Sequence, residues 1–326
     1  MRRRSAALLS TITLAVLALA GCATADDGQA EPDPSSTPAD LCAVAGESGP
    51  AVEALTVSDA PVSDGVVEVT FDAPLTVEDF QREVVIEGDG EPLEAGQFVN
   101  VAITGYNAET GELIGTAGYT PGEQLPQQVS ADSTLGVVLG CAPVGSRIAA
   151  AYVGGTAEDG TAVPAAVYTF DVLSVTPMAA WGEPQEPVAG MPTVELAEDG
   201  APTVTLPDDM PTPETTQLAT LKAGDGIEVQ DGDQVLLQYT GIRASDGSEF
   251  DSSWSTGQPA QFSAAEGALI DGFRNALIGQ KVGSQVLAVI PPAEGYGEGE
   301  INADDLTGET LVFVVDILAT QHIAAG

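Results

Sequence analysis

One plan is written twice along this chain, with a spacing that barely drifts. Glu87-Gly88-Asp89-Gly90 answers Ala223-Gly224-Asp225-Gly226, and Val99-Asn100-Val101-Ala102-Ile103-Thr104-Gly105 answers Val235-Leu236-Leu237-Gln238-Tyr239-Thr240-Gly241. Asp89 and Asp225 lie 136 residues apart, as do Gly105 and Gly241, and Gly111 and Gly247. The spacing grows to 138 between Gly145 and Gly283 (Val-Gly-Ser in both), and to 145 between Asp171 and Asp316. Two copies of one fold with loop insertions give this pattern. The chain therefore reads as two tandem domains, 42–176 and 203–320.

The second copy is the easier to read. Residues 234–242 have the β-branched and aromatic content of a strand and run into a turn at Ala244-Ser245-Asp246-Gly247. Residues 284–290 and 310–319 are further strands, and the last is so apolar that it must be central or buried on both faces. Thr203-Val204-Thr205-Leu206, inside a proline-rich stretch, reads as a first strand. The spacing of Ile270, Phe273 and Leu277 predicts a helix over 269–278, stopped by Gly279. A short helix across an antiparallel sheet makes each copy α+β.

Residues 1–21 read as a leader rather than as part of a fold. Arg2, Arg3 and Arg4 precede an apolar run, Ala6 to Ala20, that is too short to span a bilayer. Leu19-Ala20-Gly21-Cys22 resembles a bacterial lipobox, which implies a diacylated Cys22 at the mature N-terminus. Two acyl chains would anchor the chain to the outer face of the membrane where one would not, and they would be its whole membrane attachment. An ordinary secretory signal with a coincidental cysteine is the alternative. Residues 22–41 read as a flexible tether, and 177–202, rich in proline and acids, as an extended linker.

Charge and chemistry exclude several functions. Without Arg2, Arg3 and Arg4, six basic residues face 49 acidic ones, a formal charge of −43. Phosphate binding needs clustered Lys and Arg, so nucleic acid is no partner. The chain has one His and three Cys, which leaves no base for a Ser-His-Asp or Cys-His relay. No spacing matches a calcium loop, and the thiols with one distant His cannot complete a zinc site, so no metal or cofactor is expected. Cys42 and Cys141, the pair left beside Cys22, read as a disulfide in an oxidising compartment. Two free buried thiols are the alternative.

From Lys222 to Ala319 the motifs resemble the FKBP-type peptidyl-prolyl isomerases. The matching pieces include Val235 to Gly241, Gly247-Ser248-Glu249-Phe250-Asp251-Ser252-Ser253, Leu269 to Phe273, Gly279 to Ser284, Ile290-Pro291-Pro292, Gly295-Tyr296-Gly297 and Leu311-Val312-Phe313. The resemblance implies two FKBP-like domains. In the second it implies a cup of Tyr239, Phe250, Leu269, Ile270, Phe273, Tyr296 and Phe313, with Asp251 at its rim. Tyr239, Phe250, Asp251 and Tyr296 would carry catalysis, while Leu269, Ile270, Phe273 and Phe313 would hold substrate. It also assigns the Tyr296 hydroxyl and the Ile270 backbone N–H to substrate carbonyls. Phe273 stands where the family often has Trp, Ala260 replaces a further aromatic, and the loop after Gly297 is short and acidic.

The first copy has Ile103, Ile114 and Gly115 where the second has Tyr239, Phe250 and Asp251. It also lacks a Pro-Pro-x-x-Gly-Tyr-Gly segment, so it reads as a degenerate, non-catalytic relative. The expected function is isomerisation of Xaa-Pro bonds in secreted or surface proteins, with inhibition by macrolides of the FKBP-binding class. A non-catalytic chaperone or protein-binding lipoprotein on the same fold is the alternative. A solute-binding lipoprotein fits less well, because two large α/β lobes are missing.

Overall fold

The repeated glycine motifs make the same hydrogen bonds in both halves. The structure, a computed structural model, describes residues 40–208, 210–301 and 305–323, so the leader, Cys22 and most of the tether lie outside the described residues. Gly88 N–H donates to Ser146 Oγ, and Gly224 N–H to Ser284 Oγ, both at 2.9 Å. Gly90 and Gly226 donate to the carbonyls of Val144 and Val282 at 3.0 and 3.1 Å. A Cβ at any of these four glycines would collide with the Val-Gly-Ser turn it lies against. That close approach is why the two motifs recur together.

Among the described residues, two large antiparallel sheets carry the fold. The first contains β1 (Gln81–Ile86), β2 (Phe98–Asn107), β3 (Leu113–Ala117), β4 (Gln127–Gln128), β5 (Arg147–Tyr152) and β6 (Ala166–Thr176). The second contains β7 (Glu183–Pro184), β10 (Gln217–Ala223), β11 (Gln234–Arg243), β12 (Glu249–Ser252), β13 (Ala260–Ser263), β14 (Gln285–Ile290) and β15 (Leu311–Gln321). Between β7 and β10 lies a separate hairpin, β8 (Thr193–Leu196) and β9 (Pro202–Thr205). The first sheet runs β1-β5-β6-β2-β3 with β4 also on β2; the second runs β7-β10-β14-β15-β11-β12 with β13 also on β11. Apart from β7, the two orders match strand for strand.

Register carries the match to single residues. Gly105 on β2 stands opposite Tyr168 and Gly115, and Gly241 on β11 opposite Phe313 and Asp251. Even the buried acid recurs. Asp171 on β6 faces Arg147, which donates to it at 2.7 Å, while Asp316 on β15 faces Gln285, which donates at 2.7 Å. Both sheets belong to one compact unit of the chain. Cys42, just before the first sheet, is disulfide-bonded to Cys141 just after its helix.

Each sheet packs a short helix against its inner face: α1 (Thr134–Leu139) in the first, α2 (Asp271–Asn275) in the second. Val138 and Leu139 join the first core, Phe273 and Leu277 the second. Leu237, Leu277, Leu287 and Ile317 are fully buried, and each contributes roughly 1.5–3 kcal/mol relative to exposure. Helix α2 is shorter than the predicted 269–278. Ile270 is extended (ψ 143°) and caps it without a side-chain bond, and Ala276 ends it. The apolar stripe continues through a turn to Gly279, whose φ of 79° suits glycine.

The linker expected at 177–202 is packed, and this corrects the reading of it as an extended spacer. Ala180 N–H donates to the buried Asp316 at 2.8 Å, the Trp181 ring lies over Gly283, and β7 pairs with β10. Thr203-Val204-Thr205 pairs with β8 instead of opening the large sheet, whose strand is β10. Met191, Val194, Val204 and Leu206 turn one side of this hairpin onto Leu287, Val289, Val312 and Val314, the outer face of the second sheet. Glu195, Glu198 and Asp199 stay exposed, so their repulsion does not oppose the packing. Strand β15 is apolar on both sides because each side is covered.

Candidate functional site

The site grows from the inner face of β11. Tyr239 points inward at 8% exposure, and two residues on, Gly241 has no side chain. A Cβ at Gly241 would lie 2.6 Å from the Phe250 ring and 2.8 Å from the Phe313 ring. The glycine therefore lets rings from β12 and β15 close over β11. Phe250 and Phe313 meet edge-to-face at 5.5 Å, and Phe313 meets Phe273 of α2 at 4.8 Å. Tyr239 packs edge-on against Phe273 at 6.0 Å. Such edge-to-face pairs add order ~1 kcal/mol each beyond area burial, which holds the rings in one arrangement.

Sequence reasoning passed over Phe262. Its ring stands 5.6 Å from Tyr239 and 5.8 Å from Phe273, and so closes the side of the cup under β13. The period-2 alternation of Ala260-Gln261-Phe262-Ser263 was the available signal. Ala260, which faces the same core, leaves that side lower than an aromatic would. Leu269 and Ile270 line the entry to α2, half-buried against the same core. The Ile270 N–H has no hydrogen-bond acceptor among the described residues, as the open first turn of a helix leaves it. It is free to donate to a ligand.

Asp251 sits at the rim, exposed, and accepts the Tyr239 hydroxyl at 2.6 Å. The neighbouring residues fix that strand. Ser253 Oγ takes the Tyr239 N–H at 2.8 Å, and Ser252 and Thr240 share a hydroxyl bond at 3.0 Å. Burial pushes the Tyr239 phenol up, and the hydrogen bond and charge of Asp251 push it further. It stays a neutral donor. Tyr296 is 54% exposed, on the turn after Pro292–Glu294, and no ring pair joins it to the cup. Its phenol is still near enough to Tyr239 to add to that upward shift.

The structure thus brings Tyr239, Phe250, Asp251, Leu269, Ile270, Phe273 and Phe313 together, and leaves Tyr296 standing at the mouth. None of the assembled groups makes a nucleophile–base pair. His322 is committed elsewhere, its ring Nδ1 2.9 Å from Asp233 Oδ2 and its main-chain N–H donating to the Gly122 carbonyl. No cluster of metal-ligating side chains occurs among the described residues. What the arrangement offers is an apolar aromatic cup, a fixed phenol–carboxylate pair and free main-chain and side-chain donors at its edge. That suits chemistry done by shape and hydrogen bonding.

Residues 226–318 match the family model described as FKBP-type peptidyl-prolyl cis-trans isomerase. The chain is 38% identical over 109 residues to a protein of Corynebacterium glutamicum named "Probable FK506-binding protein", covering 33% of this chain and 90% of that one. It is 36% identical over 119 residues to the FK506-binding protein of Streptomyces anulatus, covering 36% of this chain and 95% of that one. With peptidyl-prolyl cis-trans isomerase FKBP2 of Mus musculus it shares 40% identity over 96 residues, covering 29% and 68%. The residues matched by the family model include most of the sheet that carries the aromatic cup.

Proposed function

The chain belongs to the FKBP-type peptidyl-prolyl cis-trans isomerases, and on that premise we propose that residues 203–320 isomerise Xaa-Pro bonds of polypeptides outside the cytoplasm. The observation that carries the assignment of the site is the Tyr239–Asp251 hydrogen bond at the lip of a cup of Phe250, Phe273 and Phe313. Rotation about a peptide bond faces a barrier of ~18–20 kcal/mol set by amide resonance. The twisted amide has lost that resonance and is less dipolar than either planar form, so a dry aromatic cup binds it better. No covalent step is needed.

The roles follow from position. Phe250, Phe273, Phe313, Leu269 and the Ile270 side chain enclose the prolyl ring. The Ile270 N–H and the Tyr296 hydroxyl hold the flanking carbonyls. Asp251, fixed by the Tyr239 phenol, polarises the region of the rotating carbonyl and does not act as an acid or base. FK506 and related macrolides occupy the same cup, with a smaller floor contact at Phe273 than a Trp would give.

The remainder of the chain serves delivery. Residues 1–21 form the leader, lipidated Cys22 anchors the protein to the outer face of the cell membrane, and 22–41 form the tether. Residues 42–176 are a degenerate FKBP-like domain: the strand order repeats, but Ile103 and Gly115 hold the register positions of Tyr239 and Asp251. The Cys42–Cys141 bond agrees with an oxidising, extracytoplasmic compartment. A protease-free assay of cis-to-trans conversion on a short Xaa-Pro peptide tests the site. Full-length chain should be active, Asp251→Ala and Phe250→Ala strongly impaired. Undiminished turnover in both variants would remove the cup from the mechanism.

A further inference from the structure

The two donors at the mouth of the cup come from separate elements. The Ile270 N–H opens helix α2, and Tyr296 follows the short turn Pro292–Glu294. Thr216, the half-buried residue just before β10, touches both elements. A Cβ at Gly272, in the first turn of α2, would lie 2.6 Å from Thr216 Oγ1, so the hydroxyl sits directly against the helix. The same hydroxyl donates to Glu294 Oε2 at 2.6 Å, and the Thr216 main-chain N–H donates to that oxygen at 3.2 Å. Gly272 is two residues beyond Ile270, and Glu294 two before Tyr296.

The turn is wound by its own main chain. Glu294 and Gly295 donate to the Pro291 and Pro292 carbonyls at 3.0 and 3.1 Å, and Gly297 donates to the Pro292 carbonyl at 2.8 Å. These bonds set the shape of the turn, but none of them ties it to α2. Ala293 and Gly295, on either side of Glu294, have no polar side chain with which to do so. Burial does not hold Tyr296 either, since 54% of it is exposed. Its place at the mouth therefore depends on what holds the turn. A carboxylate that takes two donors on one oxygen makes charge-assisted bonds, stronger than neutral ones, and its half-buried setting limits competition from water.

We propose that Thr216 and Glu294 are positioning residues, a clamp that sets the distance between the Ile270 N–H and the Tyr296 hydroxyl. Neither touches substrate; both act through the two donors. The proposal rests on the isomerase reading of the site, in which those donors hold carbonyls flanking the rotating bond. Such carbonyls keep their place while the amide between them twists, so bonds to them are made equally in planar and twisted states. Losing the clamp therefore weakens both states alike, which raises KM and spares kcat. Both Thr216 donors land on one oxygen, so the clamp needs an acceptor at Glu294 and not its charge. A carboxamide oxygen there serves as well.

The test measures KM and kcat of the full-length chain on the peptide Ala-Ala-Pro-Phe, together with the Kd of that peptide by calorimetry. Glu294→Ala should raise KM and Kd by about ten-fold, the scale of one charge-assisted hydrogen bond, and leave kcat within about two-fold. Thr216→Val should do most of the same, while Glu294→Gln and Thr216→Ser should stay near wild type. In a Tyr296→Phe background Glu294→Ala should add little, because with one donor gone there is no distance left to keep. A Glu294 that only stabilised the fold would give losses that add to that of Tyr296→Phe, and this outcome overturns the clamp. So does Glu294→Gln as impaired as Glu294→Ala, which would put the charge to work instead of the acceptor, or a loss carried by kcat alone. Failure of the isomerase reading would look different: wild-type chain that binds the peptide without turning it over, with the Kd series still reporting on the clamp.

Discussion

The Tyr239 hydroxyl donates to Asp251 Oδ2 across 2.6 Å, tying the wall of the aromatic cup to its rim. Tyr239 is itself fixed by three neighbouring rings and by the Ser253 hydroxyl on its N–H. The carboxylate is therefore held in one place without being buried. A pair so coupled should lose most of its worth when either member is removed. Asp251→Ala and Tyr239→Phe should each lower kcat/KM by roughly 1–3 kcal/mol equivalent, and the double variant by little more than the larger single loss. Fully additive losses would show that the two residues act independently.

Gly241 should tolerate no side chain. A methyl group there would press on both Phe250 and Phe313, 2.6 and 2.8 Å away. Overpacking of this kind costs about 1–3 kcal/mol, and here the rings that must move belong to the cup. Gly241→Ala should lower the urea midpoint and also raise KM for a prolyl peptide. A variant with wild-type KM would mean that the rings can shift without opening the site.

Much of this was legible from the chain, and the misses have physical causes. Gly105 and Gly241 could be found as motif glycines because the repeat marks them twice. The rings that close over them, Tyr168 over Gly105 and Phe313 over Gly241, belong to strands distant in sequence, so the contact itself is a tertiary fact. Phe262 escaped because a ring on a four-residue strand is equally at home in any core. The stretch 177–202 misled through its composition. Proline and acid density speak for extension, but the few apolar residues, Met191 and Val194 above all, decide where the hairpin lies. Its landing place, the outer face of β14 and β15, is a tertiary fact that no local pattern encodes.

Asp316 offers a pH test. Burial raises its pKa from the ordinary 3.8, while the Ala180 N–H, the Gln285 amide and the Lys222 charge pull it back. The folded chain thus holds this proton to a higher pH than the unfolded chain does. Its contribution is most favourable below the unfolded carboxylate value and is lost as pH rises through the folded value. Asp316→Asn should remove that decline, so the gap between variant and wild-type urea midpoints should shift in favour of the variant from pH 4 upward. Parallel curves would mean that the hydrogen bonds offset the burial completely.

Lipidation should follow Leu19-Ala20-Gly21-Cys22. Cells fed a labelled fatty acid should label the wild-type protein and not Cys22→Ser, which should leave the membrane fraction. Label retained by Cys22→Ser would refute the anchor.

The Cys42–Cys141 bond closes a segment with a sequence separation of 99 around the first core. Loss of such a link costs about 2–5 kcal/mol, because the unfolded chain regains the freedom the bond denied it. The bond lies in the first core with Leu41 and helix α1, whereas the aromatic cup is built from β11, β12, β15 and α2. Cys42→Ser with Cys141→Ser should therefore lower the stability of residues 42–176 by that amount and leave kcat/KM on a short prolyl peptide unchanged at 25 °C. Hydrogen exchange followed by peptide mapping would separate the two bodies in the full-length chain. Protection should fall on β1, β5 and α1 and persist on β11 and β15. If turnover fell together with first-sheet protection, the two bodies would be folding as one cooperative unit, and the isomerase domain would depend on residues 42–176 for stability.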